Sequence, residues 1–262
     1  MEEAKPFIKQ FKLQKWDNSR LRVYENDSIL LVISGIGSDA ITIAVGYAAA
    51  VASCYRQLFW LNLGSAGHQN YRIGTVVLPA EVRDSVSNLA FYPTHIIPGN
   101  FKRDKLRTLK IPSQKYMQGT CFDMEGYSFC IAASKFSLSD YIQVIKIVSD
   151  NEQKPLSEFR KDTLKKAIAS GAEETINIIK AFLDFARVEV GHLEPSLPAV
   201  YTSKLHFTQS QRIRLSRLTH QMHLLDPSFD VLQEIEQHKT SSSVLSYLET
   251  QVRLSQSRII ND

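Results

Sequence analysis

The chain has 262 residues, 44% of them hydrophobic, enough for one substantial core with room for an appendage at about 100 to 200 residues per domain. Its formal charge of +4, from 31 basic and 27 acidic residues, is too small a surplus to point to a nucleic-acid partner, and a small anionic ligand would be served equally well. Three cysteines, Cys54, Cys121 and Cys130, lack CxxC spacing and sit in apolar segments as small buried hydrophobes, which fits a reduced, cytoplasmic protein.

The first elements read as strand, glycine turn and helix. Leu21 to Tyr24 alternates, Ser28 to Ser34 (SILLVIS) is a continuous apolar run, and Gly35-Ile36-Gly37 breaks it before a helical stretch from about Ser38. The uncharged run from Ala40 to Tyr55 is too short and too rich in Ala, Gly and Ser for a membrane span of about 20 residues, so it is expected as a buried helix and no membrane partner is expected. Gln57 to Leu63 (QLFWLNL) is a second strand running into a Gly64-Ser65-Ala66-Gly67 turn, Gly74 to Val82 a third, and Tyr141 to Val148 (YIQVIKIV) a fourth that runs into Ser149-Asp150-Asn151. Buried strands that each end in a polar or glycine loop indicate an α/β sheet, with ligands bound at the carboxyl ends of the strands. Leu156 to Arg187 places Phe159, Leu164, Ile168, Ile176, Ile179 and Phe182 on the apolar side of one or two amphipathic helices. Gly191 to Pro198 reads as a linker, followed by helices over Thr208 to Leu225, Phe229 to His238 and Ser243 to Leu254. Residues 1–190 are therefore expected as one domain and residues 191–262 as a linker with a small helical extension. Arg212, Arg214 and Arg217 on the first tail helix fit a solvated face better than a site for an acidic partner.

The stretch CFDMEGYSFCIAASKF, from Cys121 to Phe136, sets Asp123 and Glu125 among apolar and aromatic residues. A carboxylate leaves water only at a cost of several kcal/mol unless a partner meets it, so one of the pair faces solvent or a polar ligand meets it. No His, Cys, Asp or Glu cluster has metal-ligand spacing, and no metal or cofactor is expected.

Taken singly, GIG, GSAG, DMEG and SDN are each common features of turns and caps. Their order, GIG, then NLGSAG, IGTVVLPAEVRD, DMEG and IVSDN, resembles the nucleoside phosphorylase and nucleosidase superfamily, closest to the nucleosidases that cleave methylthioadenosine and adenosylhomocysteine. The resemblance spans roughly Met1 to Arg187. It implies a three-layer α/β/α sandwich around a central mixed sheet, here with the first strand missing and a C-terminal helical extension added, assembled as a homodimer. It also implies a purine nucleoside and water as partners. Glu125 falls on the glutamate that accepts hydrogen bonds from the ribose hydroxyls, with Met124 against the sugar. Asp150 falls on the aspartate that delivers or shares a proton at purine N7. Ser65, Gly37 and neighbouring amides would hold the attacking water and sugar edge, and Ile36, Gly67 and Phe122 complete the implied substrate-binding set. MEEAKPFIKQFKL resembles the family's acidic motif and helix, which makes Glu3 the implied base for the water, with Glu2 its rival. Asn62 stands where the bacterial hexameric phosphorylases carry an arginine, and Asp39 beside the GIG turn would repel phosphate. The implied reaction is hydrolysis of the N-glycosidic bond of a purine nucleoside, an adenine nucleoside with a modified 5′ carbon. Phosphorolysis and a non-catalytic nucleoside-binding role are the alternatives. The family's purine-stacking aromatic has no direct counterpart; Tyr116, Phe91 and Tyr92 are candidates, and His68, where the family has glycine, covers the ribose or caps a turn.

Overall fold

The computed structural model describes residues 2–17, 19–52, 57–94, 96–112, 116–155, 157, 161–193, 205–226 and 228–261. They form two compact units, the first holding the described residues up to Ala186 and the second those from Arg187.

In the first unit, helix α1 (Lys5–Gln10) starts with proline in its first turn and buries Phe7. Among the described residues no strand precedes it. Strands β1 (Gln14–Lys15), β2 (Arg22–Glu25) and β3 (Leu30–Ile33) form an antiparallel sheet in that order. The β2–β3 turn is set by Asn26, whose Oδ1 accepts from the amides of Ser28 and Ile29. SILLVIS therefore pairs locally, in a sheet separate from the main one. After it, Gly35 and Gly37 both take φ +96°, which a side chain would strain, and α2 (Ser38–Val51) begins.

The main sheet is mixed and seven-stranded. Its order is β5 (Val76–Val77), β10 (Ile142–Asp150), β4 (Trp60–His68), β9 (Thr120–Asp123), β8 (Lys105–Thr108), β6 (Glu81–Asp84) and β7 (Ala90–Phe91). Strand β10 runs parallel to β4, with all nine of its residues buried, as a continuous apolar run requires of a strand covered on both faces. Ile142, Val144 and Val148 enter a core shared with Ile41 and Val45 of α2 and Phe129 of α3 (Gly126–Ala133). Ile145 and Ile147 enter the opposite core, with Phe7 and with Ile168, Ile178 and Phe182 of α4 (Lys161–Leu193). Each such side chain stabilises the fold by about 1.5–3 kcal/mol of transferred apolar surface, and the two cores give the helix–sheet–helix layering.

Three expected boundaries differ. Gly64 to Gly67 is strand, part of β4, where a turn was expected. Gly74 to Val82 is split into β5 and β6, because Pro79 lacks the N–H a continuous strand would need. Helix α4 continues through Gly191 to Leu193, so the first residues expected in a linker are helical; Phe159 lies outside the described residues.

The second unit has a core of its own. Helix α5 (Gln209–Leu225) opens with a capping box between Thr208 and Gln211, α6 (Val231–Glu236) is capped by Asp230, and α7 (Ser241–Asn261) follows. Phe207, Leu215, Leu218, Met222, Val231, Ile235, Leu245 and Leu248 are buried together. Arg214 is engaged on the surface with Glu249, and Arg212 donates to the carbonyl of Phe207, as a solvated helix face permits. No helix among the described residues is long and apolar enough to cross a membrane.

Candidate active site

The two carboxylates of DMEG part company at the start of α3. Asp123 ends β9 and is buried: its Oδ1 accepts from Thr108 Oγ1 (2.7 Å) and its Oδ2 from the Gly126 amide (2.7 Å) at the helix start. The same Oδ2 lies 2.8 Å from Lys146 Nζ, with the side chains 0% and 1% exposed. Asp123 therefore does not face solvent: it sits at the start of α3, and an ammonium from β10 supplies its charge partner. The alternation of β10 explains the meeting: Lys146 lies on the same face as Val144 and Val148, towards α2 and α3.

Glu125 is half-buried and turns the other way, accepting from the Gly37 amide at 2.6 Å. Burial pushes its carboxyl above the ordinary value, while Lys146 and the Gly37 amide pull it down. Burial alone would lower the Lys146 amine, but Asp123, Glu125 and Glu3 outweigh that and hold it protonated beyond its usual range. Glu3 reaches the site from the chain before α1, where its Oε1 accepts from the Ser65 amide at 2.8 Å. The three carboxylates thus gather about one ammonium. Glu2 instead pairs with Lys5 on the surface. A Cβ on Gly64 would stand 3.2 Å from Lys146 Nζ and 3.9 Å from Glu3 Oε1, so a side chain there would crowd the ammonium without excluding it. Lys146 was missed by sequence reasoning; its signal was a single charge inside the apolar run IQVIKIV.

Asp150 closes β10 beyond a register shift between Val148 and Asp150, which sets it opposite Gly67. Its Oδ1 accepts from Ser149 Oγ and its Oδ2 from the Tyr116 hydroxyl, both at 2.7 Å. A Cβ at Gly67 would lie 2.6 Å from Asp150 Oδ2, so only glycine lets the carboxylate lie against β4. On the other side of β4, Gly67 pairs with Phe122. Met124 approaches the GIG turn through its carbonyl, 3.4 Å from Ser38 Oγ, whereas Ile36 at the tip of that turn is 81% exposed.

Of the three candidate aromatics only Tyr116 touches Asp150. Phe91 lies in β7, at the far edge of the sheet from β10, and Tyr92 accepts from Arg83 beside it. His68 has both ring nitrogens engaged: Nδ1 accepts from the amides of Asn70 and Tyr71, and Nε2 meets Asp104 at 3.0 Å. Its ring stacks on Tyr71 and burial lowers its basicity, with Asp104 opposing. That is the turn-capping alternative. Asn62 is buried, with its Oδ1 unpartnered among the described residues. Cys121 and Cys130 are buried free thiols, and burial pushes Cys121 up to about 12.

No protein-family model matches the sequence, and no curated protein matches it. Solved structures do. The 5′-methylthioadenosine/S-adenosylhomocysteine nucleosidase from Neisseria meningitidis, in complex with methylthio-immucillin-A, is 18% identical at a TM-score of 0.55, the match covering 69% of this chain and 96% of that one. The nucleosidase of the same name from Colwellia psychrerythraea, in complex with adenine, gives 19% identity and a TM-score of 0.53 over 70% of this chain and 92% of its own. Apo 5′-methylthioadenosine nucleosidase from Arabidopsis thaliana gives 18% and 0.53 over the same shares. The chain carries the α/β fold of these nucleosidases.

Proposed function

We propose that the first unit hydrolyses the N-glycosidic bond of a purine nucleoside, an adenine nucleoside with a modified 5′ carbon, to free base and sugar. The observation that carries this reading is the gathering of Glu3, Glu125 and Asp123 about Lys146 where β4, β9 and β10 lie side by side, with Asp150 at the end of β10, in a fold shared with nucleosidases.

The charge of the site supports hydrolysis. Three carboxylates about one ammonium leave negative charge in excess, which favours a ribosyl cation as the C1′–N9 bond breaks and opposes a phosphate dianion. In the proposed reaction the bonding pair leaves with the base, Asp150 delivers a proton to N7, and the base departs neutral. Water adds at C1′ and gives its proton to Glu3. Glu125 holds the ribose hydroxyls while its other contact, the Gly37 amide, fixes its direction. A positioned general acid contributes about 10²- to 10⁴-fold, roughly 3 to 5 kcal/mol of barrier. A homodimer belongs to the proposal, with sedimentation as its test.

The test is adenine release, followed by chromatography, from methylthioadenosine, adenosylhomocysteine, 5′-deoxyadenosine and adenosine, with and without phosphate. Phosphate-independent release is expected, lowered about 10²- to 10⁴-fold in Asp150→Asn with substrate binding retained. Release only with phosphate would replace hydrolysis by phosphorolysis. Binding of the nucleosides without release would make the chain a non-catalytic binder.

A further inference from the structure

Asp150 accepts at both oxygens before any ligand arrives, and its two donors differ in kind. Ser149 precedes it on β10, so that hydrogen bond travels with the strand. Tyr116 comes from the segment between β8 and β9, and its bond to Oδ2 depends on where that segment lies. The phenol is also packed into the site: a Cβ at Gly67 would stand 3.0 Å from Tyr116 Cε1 and 2.6 Å from the same Asp150 Oδ2. Ring and hydroxyl together cover the Oδ2 face of Asp150 beside Gly67.

A nucleobase that hydrogen-bonds to Asp150 needs that face. We propose that Tyr116 is a specificity-determining residue of the base site: in the free protein its hydroxyl makes the hydrogen bond on Asp150 Oδ2 that an entering base must replace with an N–H of its own. The inference rests on the reading of Asp150 as the group that faces the base. Its consequence is selection by exchange. A purine with an N–H for Oδ2 restores the bond it displaces, whereas a ligand presenting only acceptors there loses the phenol's bond and gains none, leaving a buried carboxylate oxygen unpaired. The hydroxyl therefore costs the right base some affinity and costs the wrong one more.

Tyr116→Phe keeps the ring and removes the competitor. Adenine titrated calorimetrically into wild type, Tyr116→Phe and Asp150→Asn is the test. Binding to Tyr116→Phe is expected to be about fivefold tighter than to wild type, the worth of one net hydrogen bond. In parallel, the ¹³Cζ resonance of labelled Tyr116 in the wild type is expected to move when adenine is added, as the phenol leaves a carboxylate. Equal or weaker binding to Tyr116→Phe, or a resonance that stays in place at saturation, overturns the inference. If adenine release from the nucleosides is still lowered in Asp150→Asn in that case, the reading of Asp150 survives and the role of Tyr116 alone fails. If adenine binds to none of the three proteins, the base-site reading falls and takes this inference with it.

Discussion

Glu125 shows what a single buried carboxylate asks of the protein that keeps it. Burial holds its proton more tightly in the folded chain than in the unfolded one, where a glutamate titrates at about 4.3. Below that pH both states are protonated and folding is indifferent to the group. As pH rises through the window up to the folded value, the unfolded state releases its proton first and stability falls. Glu125→Gln should therefore melt higher than wild type at pH 7 and lose that advantage by pH 4, each kcal/mol appearing as about 2–4 °C in scanning calorimetry. A mutant less stable at pH 7 would mean that Lys146 outweighs burial at this group. At this scale the sequence exposed the carboxylates but not the cation. Two acids in an aromatic stretch are visible as an anomaly, whereas Lys146, one charge in an apolar strand, meets Asp123 and Glu3, 23 and 143 residues away along the chain, only because β4 lies between β9 and β10. Tyr116 was named for stacking on the base; its hydroxyl contact depends on the path between β8 and β9, which no periodicity encodes.

Strands β4 and β10 carry the site between them, and glycines decide how closely their side chains approach. Gly67 has no room for a Cβ, which would meet Asp150 Oδ2 at 2.6 Å, while at Gly64 the nearest atom is the end of the flexible Lys146 side chain at 3.2 Å. Gly67→Ala should push Asp150 from its place and lower turnover about a hundredfold, the usual cost of a misplacement near 1 Å. Gly64→Ala should fall short of that, because an ammonium on a four-carbon stem can give way. Adenine-release rates of the two mutants compare them directly, and equal losses would sink the argument. Glycine-rich spacing suggested a turn at Gly64 to Gly67 for an understandable reason: glycine marks both φ freedom and close approach, and only the neighbouring strands tell which applies. Apolar runs located β3 and β10 well, and the helix expected over Thr208 to Leu225 is α5, because continuous burial and helical periodicity are local signals. Which sheet β3 joins is not local, and the hairpin at Asn26 decided it.

For the molecule as a whole, the α/β class and the helical tail were legible, since alternating strands and helices followed by a run of helices alone leave few architectures. The layering comes from a strand buried on both faces, with Lys146 near its middle. That placement turns the amine into a clock. An acylating reagent reaches exposed Lys5 freely, but it reaches Lys146 only in the moments when β10 comes away from its neighbours. Labelling at Lys146, read by peptide mass spectrometry, should run more than about a thousandfold slower than at Lys5 if opening draws on the stability of the whole domain, as domains of 5 kcal/mol or more require. Comparable rates would mean that the sheet breathes at this strand on its own. Any ligand that binds only the closed sheet slows the clock further, by the factor one plus its concentration over its dissociation constant. The buried lysine thus times occupancy of the site whether or not the bound molecule is ever cleaved.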